Sequence, residues 1–161
     1  MQIRTAGPVD WPGIYPIFRA VVAAGETYAY PPDLELAEAA SWWLEPLPGR
    51  TLVATEQDRV LGTAKFGPNR PGRGSHVATA SFMVAEDARG GGVGRALGQE
   101  VLRLVRNEGY RAVQFNAVVE TNAAAVGLWR SLGFGVVGTV PAAFDHPRYG
   151  FVGLHVMHLA L

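Results

Sequence analysis

Residues 81–97 read Ser81-Phe82-Met83-Val84-Ala85-Glu86-Asp87-Ala88-Arg89-Gly90-Gly91-Gly92-Val93-Gly94-Arg95-Ala96-Leu97. An apolar, strand-like run ends at Val84, an acidic and then glycine-dense turn follows, and from Val93 the apolar residues Val93, Ala96, Leu97, Val101, Leu104 and Val105 recur at helical spacing. The pattern is strand, loop, helix. A helix N-terminus leaves backbone N–H groups without partners and carries about half a positive charge, so a glycine-rich turn feeding one cradles phosphate oxygens. Arg89 and Arg95 add cationic donors at the same place. A tight turn that binds nothing is the plainer alternative, and four glycines in the five positions from Gly90 to Gly94 weigh against it.

The two common phosphate loops do not match. The dinucleotide fingerprint, started at Gly92, needs glycine where Leu97 stands, and the P-loop needs Gly-Lys before Ser or Thr, whereas the chain's single lysine is Lys65. What does fit is Arg, two free positions, Gly, one free position, Gly, on Arg89, Gly92 and Gly94. This resembles the acetyl-CoA pyrophosphate loop of the GNAT superfamily of acyl-CoA-dependent N-acyltransferases.

Around this stretch the composition is that of one globular domain, residues 1–161, with 48% hydrophobic and 17% charged residues. Lys+Arg 14 against Asp+Glu 14 leaves no bulk attraction to nucleic acid or membrane, and neither partner is expected. Cysteine is absent, which removes disulfides, thiolate metal sites and a cysteine nucleophile. His76, His146, His155 and His158 are too scattered to suggest ligands, so no metal is expected. The first residues lack a signal-peptide pattern and no stretch is apolar enough to span a bilayer, so a cytoplasmic protein is the expectation.

Read in order, a strand over Gln2–Ala6 leads to Asp10 as N-cap of a helix over Trp11–Ala24, with Ile14, Ile17, Phe18, Val21 and Val22 on one face and Pro16 disturbing its early part. An aromatic connection from Glu26 precedes a second helix over Asp33–Glu45, with Leu34, Ala37 and Trp42 or Trp43 inward. A hairpin follows over Thr51–Glu56 and Val60–Phe66, then a loop over 67–74 and the strand Val77–Val84. Beyond the first helix after the glycine loop come a strand over Ala112–Val119, a helix from Asn122 to Leu132, and strands over Phe134–Val140 and Phe151–Leu159 separated by a loop from Pro141 to Gly150. The order is β-α-α-β-β-β-α-β-α-β-β, an α/β domain with a mixed sheet.

The segment Asn122-Ala123-Ala124-Ala125-Val126-Gly127-Leu128-Trp129-Arg130-Ser131-Leu132-Gly133-Phe134 resembles the second GNAT motif, with Asn122, Ala125, Leu128, Gly133 and Phe134 in place. Two motifs in order and at the right separation make the resemblance specific. It implies a mostly antiparallel, twisted sheet flanked by helices, acetyl-CoA as acyl donor, and attack by the amine of a small molecule within a ternary complex. A homodimer is the family's habit. The resemblance puts the pyrophosphate on the backbone of Arg89, Gly90, Gly91, Gly92, Val93, Gly94 and Arg95, and the pantetheine arm along Met83 and Val84 as an added strand. It brings Asn122 to the far part of the arm, although a pure helix cap would explain the same residue. The family's tyrosine is Trp129 here, and an indole donates a hydrogen bond without giving up a proton.

The catalytic groups are less legible. The strand Val77–Val84 contains no carboxylate where the family often carries its base. Glu26 is the carboxylate candidate, against a solvated residue at a helix end, and Asn116 the polar one, against a satisfied core amide. Thr79 and Ser81 are candidates for a water relay. Tyr28, Tyr30, Trp43 and Tyr149 are candidates for the substrate wall, or else they cap the core. A site without an obvious base favours α-amines of pKa about 7.7 to 8.0 over lysine near 10.4. The runs Phe115-Asn116 and Glu120-Thr121-Asn122 resemble acetyltransferases of amino acids and their toxic analogues, and Arg70, Arg73 or Arg148 is available for a substrate carboxylate. A catalytically silent acyl-CoA-binding module and an acetyltransferase of protein amines are the alternatives.

Overall fold

The computed structural model describes residues 1–161. The strands are β1 (Gln2–Thr5), β2 (Arg50–Glu56), β3 (Arg59–Pro68), β4 (Val77–Val84), β5 (Ala112–Val119), β6 (Gly135–His146) and β7 (Gly150–Ala160). The helices are α1 (Trp11–Ala24), α2 (Leu36–Trp43), α3 (Val93–Asn107) and α4 (Ala123–Ser131). Short single turns aside, the order is the one read from the sequence. One seven-stranded sheet runs β1-β2-β3-β4-β5-β7-β6. Every neighbouring pair is antiparallel except β4 and β5, which are parallel and joined through α3.

That parallel pair is short, with Val77 opposite Ala112 and Ala78 opposite Val113 and no further partners. Each strand keeps its other neighbour, β4 against β3 as far as Val84 and β5 against β7 as far as Val119. The sheet is therefore split along its middle, and the split positions the site.

Strand β2 is buried on both faces, and its alternation sorts residues between two cores. Leu52 and Ala54 join Phe66, Leu97, Val101, Phe115, Trp129 and Phe134 beneath α3 and α4. Val53 joins Trp11, Ile14, Phe18, Trp43 and Met83 beneath α1 and α2. Each fully buried Val, Leu, Ile, Phe or Met among them contributes about 1.5–3 kcal/mol relative to exposure. Gly98 lets the second helix pair close, because a Cβ there would stand 3.1 Å from the Trp129 ring and 3.0 Å from Leu132.

Several expectations are corrected. Asp10 stands at the start of α1 but does not cap it with its side chain. Its carboxylate accepts instead from Gly7 N–H at 2.8 Å and from both Arg4 Nη atoms at 2.8 and 2.6 Å, which holds it below the usual carboxylate range. Helix α1 continues through Pro16. Helix α2 is shorter than expected, and its start at Leu36 sets a phase that buries Ala39 and Trp43, four positions apart, while Ala37 is exposed and Leu34 is buried ahead of the helix. The expected loop over Pro141–Gly150 is mostly strand, because β6 runs to His146 through irregular pairing between Val140 and Phe144. Pro141 is tolerated since β6 is an edge strand. No helix is long and apolar enough to cross a membrane.

Candidate active site

Asn69 N–H donates to Val77 C=O at 2.8 Å and Ala85 N–H to Leu61 C=O at 2.9 Å, which sets the alternation along β4. Odd-numbered residues hydrogen-bond to β3, while Phe82 and Val84 turn their N–H and C=O toward the gap left by β5. A cleft of about 850 Å³ opens there. It is walled by β4 from Thr79, by β5 from Phe115, by the connection after α1, by the start of α4 and by the β6–β7 hairpin.

At the foot of β4 the chain makes one turn over Glu86–Ala88 and enters the glycine loop. Gly90 and Gly92 have φ of 78° and 82°, the left-handed region that only glycine enters cheaply. Gly92 is the N-cap of α3 and brings no side-chain cap, so the first-turn N–H groups are left for an anion. Arg89 is exposed and faces the cleft. Arg95 reaches across to Ser131 Oγ at 3.0 Å. Gly94 faces α4, where a Cβ would meet Leu128 at 3.5 Å. A strand edge without a partner strand, leading into unpaired helix N–H groups, fits a ligand with an extended amide-bearing arm and a pyrophosphate.

The expected residues are placed as follows. Val84 and the Arg89–Arg95 loop lie along this path. Met83 lines the cleft, but its backbone pairs with β3 and its side chain is buried in the core beneath α1 and α2, so the backbone hydrogen bonds expected of it fall to Phe82, the neighbour of Val84 on the open edge. Asn122 lines the cleft and also caps α4, its Oδ1 accepting from Ala125 N–H at 3.1 Å. Trp129 is a cleft residue whose ring lies 4.6 Å from Phe82 and 4.8 Å from Phe115 between centroids. Glu26 is exposed at the rim. Asn116 is on the cleft wall as well, but it is exposed rather than a core amide, donating to Asn69 Oδ1 at 2.7 Å and accepting from Gln114 at 2.9 Å.

Among the aromatics, Tyr28, Tyr30 and Tyr149 line the cleft, whereas Trp43 does not. Trp43 is fully buried with its indole N–H on Thr63 Oγ1 at 3.0 Å, and its neighbour Trp42 takes the cleft position. The Tyr28 hydroxyl accepts from Phe82 N–H at 2.9 Å and donates to Phe82 C=O at 2.8 Å. Burial raises the Tyr28 hydroxyl well above its ordinary value, and burial raises Tyr30 too, so both stay protonated at neutral pH.

Sequence reasoning misses His146. It is buried, lines the cleft and accepts from Arg148 N–H at its Nδ1 at 3.1 Å, which leaves the proton of a neutral ring on Nε2. Arg148 lies over the Tyr149 ring at 5.4 Å and faces the cleft, while Arg70 and Arg73 do not line it. No spacing signal marks His146, because the hairpin that brings it in reads as a loop.

The model of the acetyltransferase (GNAT) family matches residues 15–134. The L-methionine sulfoximine/L-methionine sulfone acetyltransferase of Pseudomonas aeruginosa is 34% identical over 146 residues, 87% of this chain and 83% of that protein. A GCN5-related N-acetyltransferase structure from Kribbella flavida is 60% identical with TM-score 0.96, covering 99% of this chain and 97% of that one. The structure of yncA from Salmonella typhimurium, solved with its cofactor acetyl-CoA, is 27% identical with TM-score 0.85, covering 100% and 94%.

Proposed function

Because the chain belongs to the GNAT acetyltransferase family, we propose that it moves the acetyl group of acetyl-CoA to the amine of an amino acid or a close analogue. An acyl-CoA-dependent N-acetyltransferase is what the family makes it; the acceptor is the proposal. The observation that carries the reading is the two-residue pairing of β4 with β5 above a glycine loop at the start of α3. It leaves the β4 edge facing the cleft without a partner strand, Phe82 being met there by Tyr28 alone, and a set of unpaired helix N–H groups one turn beyond the end of that edge.

In this reading Val84 pairs with the pantetheine arm, and the backbone from Arg89 to Arg95 holds the pyrophosphate. Asn122 offers its amide nitrogen to the arm. The Phe82 N–H receives the acyl oxygen and Trp129 packs beside the sulfur. The amine attacks the thioester carbon, a C–N bond forms, the C–S bond breaks, and the proton lost by nitrogen ends on the CoA thiol. A thiol of pKa about 8.5 leaves readily, so an indole in place of the family tyrosine is acceptable. Glu26 and Asn116 are the groups at hand for the amine's proton and its water. Tyr28, Tyr30 and Tyr149 wall the acceptor, and Arg148 with His146 Nε2–H supplies donors for a carboxylate. The named substrates of the Pseudomonas relative are amino-acid analogues, which supports the same class.

The test is acetyl-CoA turnover, read as free CoA thiol, over amino acids, their amides, simple amines, and alanyl and lysyl peptides. Turnover confined to peptides would overturn the acceptor class, and acetyl-CoA binding without turnover on any amine would mark a silent module. We also infer a homodimer through the β6–β7 hairpin, where β6 is the free edge of the sheet and Val137 on β6 and Phe151 on β7 are 71% and 73% exposed. Sedimentation as a monomer at micromolar concentration would overturn it. A cytoplasmic location, where acyl-CoA is available, completes the reading, and fractionation checks it.

A further inference from the structure

We propose that the Tyr28 hydroxyl is a second hydrogen-bond donor to the acyl oxygen, acting beside the Phe82 N–H. This rests on the reading above that the thioester carbonyl sits at Phe82.

The Phe82 peptide edge lies in the gap between β4 and β5, where no strand satisfies it, and Tyr28 satisfies it instead, 2.9 Å from N and 2.8 Å from O. A phenol has one proton and two lone pairs. At rest the proton goes to Phe82 C=O and a lone pair takes Phe82 N–H. A carbonyl oxygen that arrives at Phe82 N–H shares that proton with the hydroxyl oxygen and lies within hydrogen-bond reach of the same hydroxyl. Rotation about the C–O bond then turns the proton from Phe82 C=O onto the acyl oxygen.

The ring is held for this. Tyr28 stacks on Tyr30 at 5.3 Å and meets Trp43 edge-on at 6.0 Å. Trp43 is fixed by its hydrogen bond to Thr63 at 3.0 Å, and Thr63 donates onward to Leu52 C=O at 2.8 Å. A donor preorganised in a partly dry site is worth more than one in water. Burial keeps the hydroxyl protonated, so it serves as donor and not as base.

The balance is simple. As the amine nitrogen attacks the carbonyl carbon, the C=O π electrons move onto oxygen, and that negative charge is met by Phe82 N–H and Tyr28 O–H. Collapse restores C=O and expels the thiolate, which takes up the proton released by nitrogen. Tyr28 keeps its own proton throughout.

The experiment compares wild type with Tyr28→Phe, which keeps the stacked ring. It measures kcat, acetyl-CoA affinity, and the carbonyl stretch of bound acetyl-CoA carrying ¹³C at the thioester carbon. The expected results are a fall in kcat of about 10²-fold, little change in affinity, and a stretch that moves back toward the free value. Incorporation of 3-fluorotyrosine at position 28, a stronger donor of nearly the same shape, is expected to move the stretch the other way and covers the case in which Tyr28→Phe does not fold. Unchanged kcat and stretch would overturn the inference, as would tighter binding with faster turnover, which marks a hydroxyl that only competes for Phe82 N–H. If wild type binds no acetyl-CoA, the parent reading falls and takes this one with it.

Discussion

Tyr28 and Phe82 lie 54 positions apart in sequence, and one hydroxyl holds both polar groups of the Phe82 peptide. The pairing ties the connection after α1 to the split edge of β4, so it bears on stability as well as on the site. Burial raises Tyr28 above its ordinary value near 10.0, and Tyr30 and Tyr110 shift the same way. Above pH about 10 the unfolded chain has lost protons that the folded chain keeps, so stability is full below that pH and falls as pH rises toward the folded values. Denaturant unfolding between pH 8 and 11 is expected to show this fall, and Tyr28→Phe is expected to make it shallower. An unchanged slope in the variant would mean that the hydroxyl is not buried in solution.

The glycine loop separates ligand effects from folding effects. At Gly94 a Cβ would meet Leu128 at 3.5 Å and Val84 at 3.7 Å, ordinary contacts, and alanine gains roughly 1 kcal/mol of helix propensity. Gly94→Ala is therefore expected to fold at least as well as wild type while binding acetyl-CoA more weakly, because the new methyl group stands beside Val84 and Leu128, between the end of β4 and α4, where the arm leads into the pyrophosphate loop. Gly92→Val differs, since φ of 82° strains any side chain and it is expected to lose both stability and binding. Calorimetric melting with acetyl-CoA titration checks both; unweakened binding in Gly94→Ala would remove the loop from the cofactor site.

The order of elements is legible because it rests on periodicity and on two glycine-bearing motifs, both local signals. What escaped depends on phase, irregularity or distance. Trp42 and Trp43 are adjacent, and which one turns inward is decided by where α2 starts. Pro141 and Gly150 read as the ends of a loop, although β6 runs on as an edge strand that accommodates Pro141 and the positive φ of Ala142 at irregular pairing. That misreading hid His146. Met83 reads as a backbone partner of the arm because the end of β4 is legible in the sequence but its hydrogen-bonding parity is not, and parity depends on register with β3. The Tyr28 contact joins segments that no local pattern connects.

Asn122 carries two roles on different atoms. Its Oδ1 caps α4 through Ala125 N–H, and its amide nitrogen has no partner within the chain. Asn122→Asp keeps the capping oxygen and removes the amide donor, so stability is expected to hold while acetyl-CoA binds more weakly. Asn122→Ala is expected to lose about 1 kcal/mol of stability as well. Unfolding and binding measured on both variants separate the roles, and normal affinity in Asn122→Asp would leave the residue as a cap alone.

Arg148 tests the acceptor class most directly. It forms no ion pair, lies over Tyr149 and faces the cleft next to His146, whose ring proton is free to point inward. A charge-assisted hydrogen bond to a carboxylate is worth about 1.5–3 kcal/mol, a factor of roughly ten to a hundred in binding. Arg148→Ala is expected to raise KM by that factor for amino acids and to leave it unchanged for the corresponding amino-acid amides, with kcat little affected for both. The comparison matters because loss of packing on Tyr149 would act on acid and amide alike. Equal rises in KM would therefore reject carboxylate recognition, whereas a rise for the acids alone would place the acceptor's carboxylate at the β6–β7 hairpin, with its amine toward Phe82.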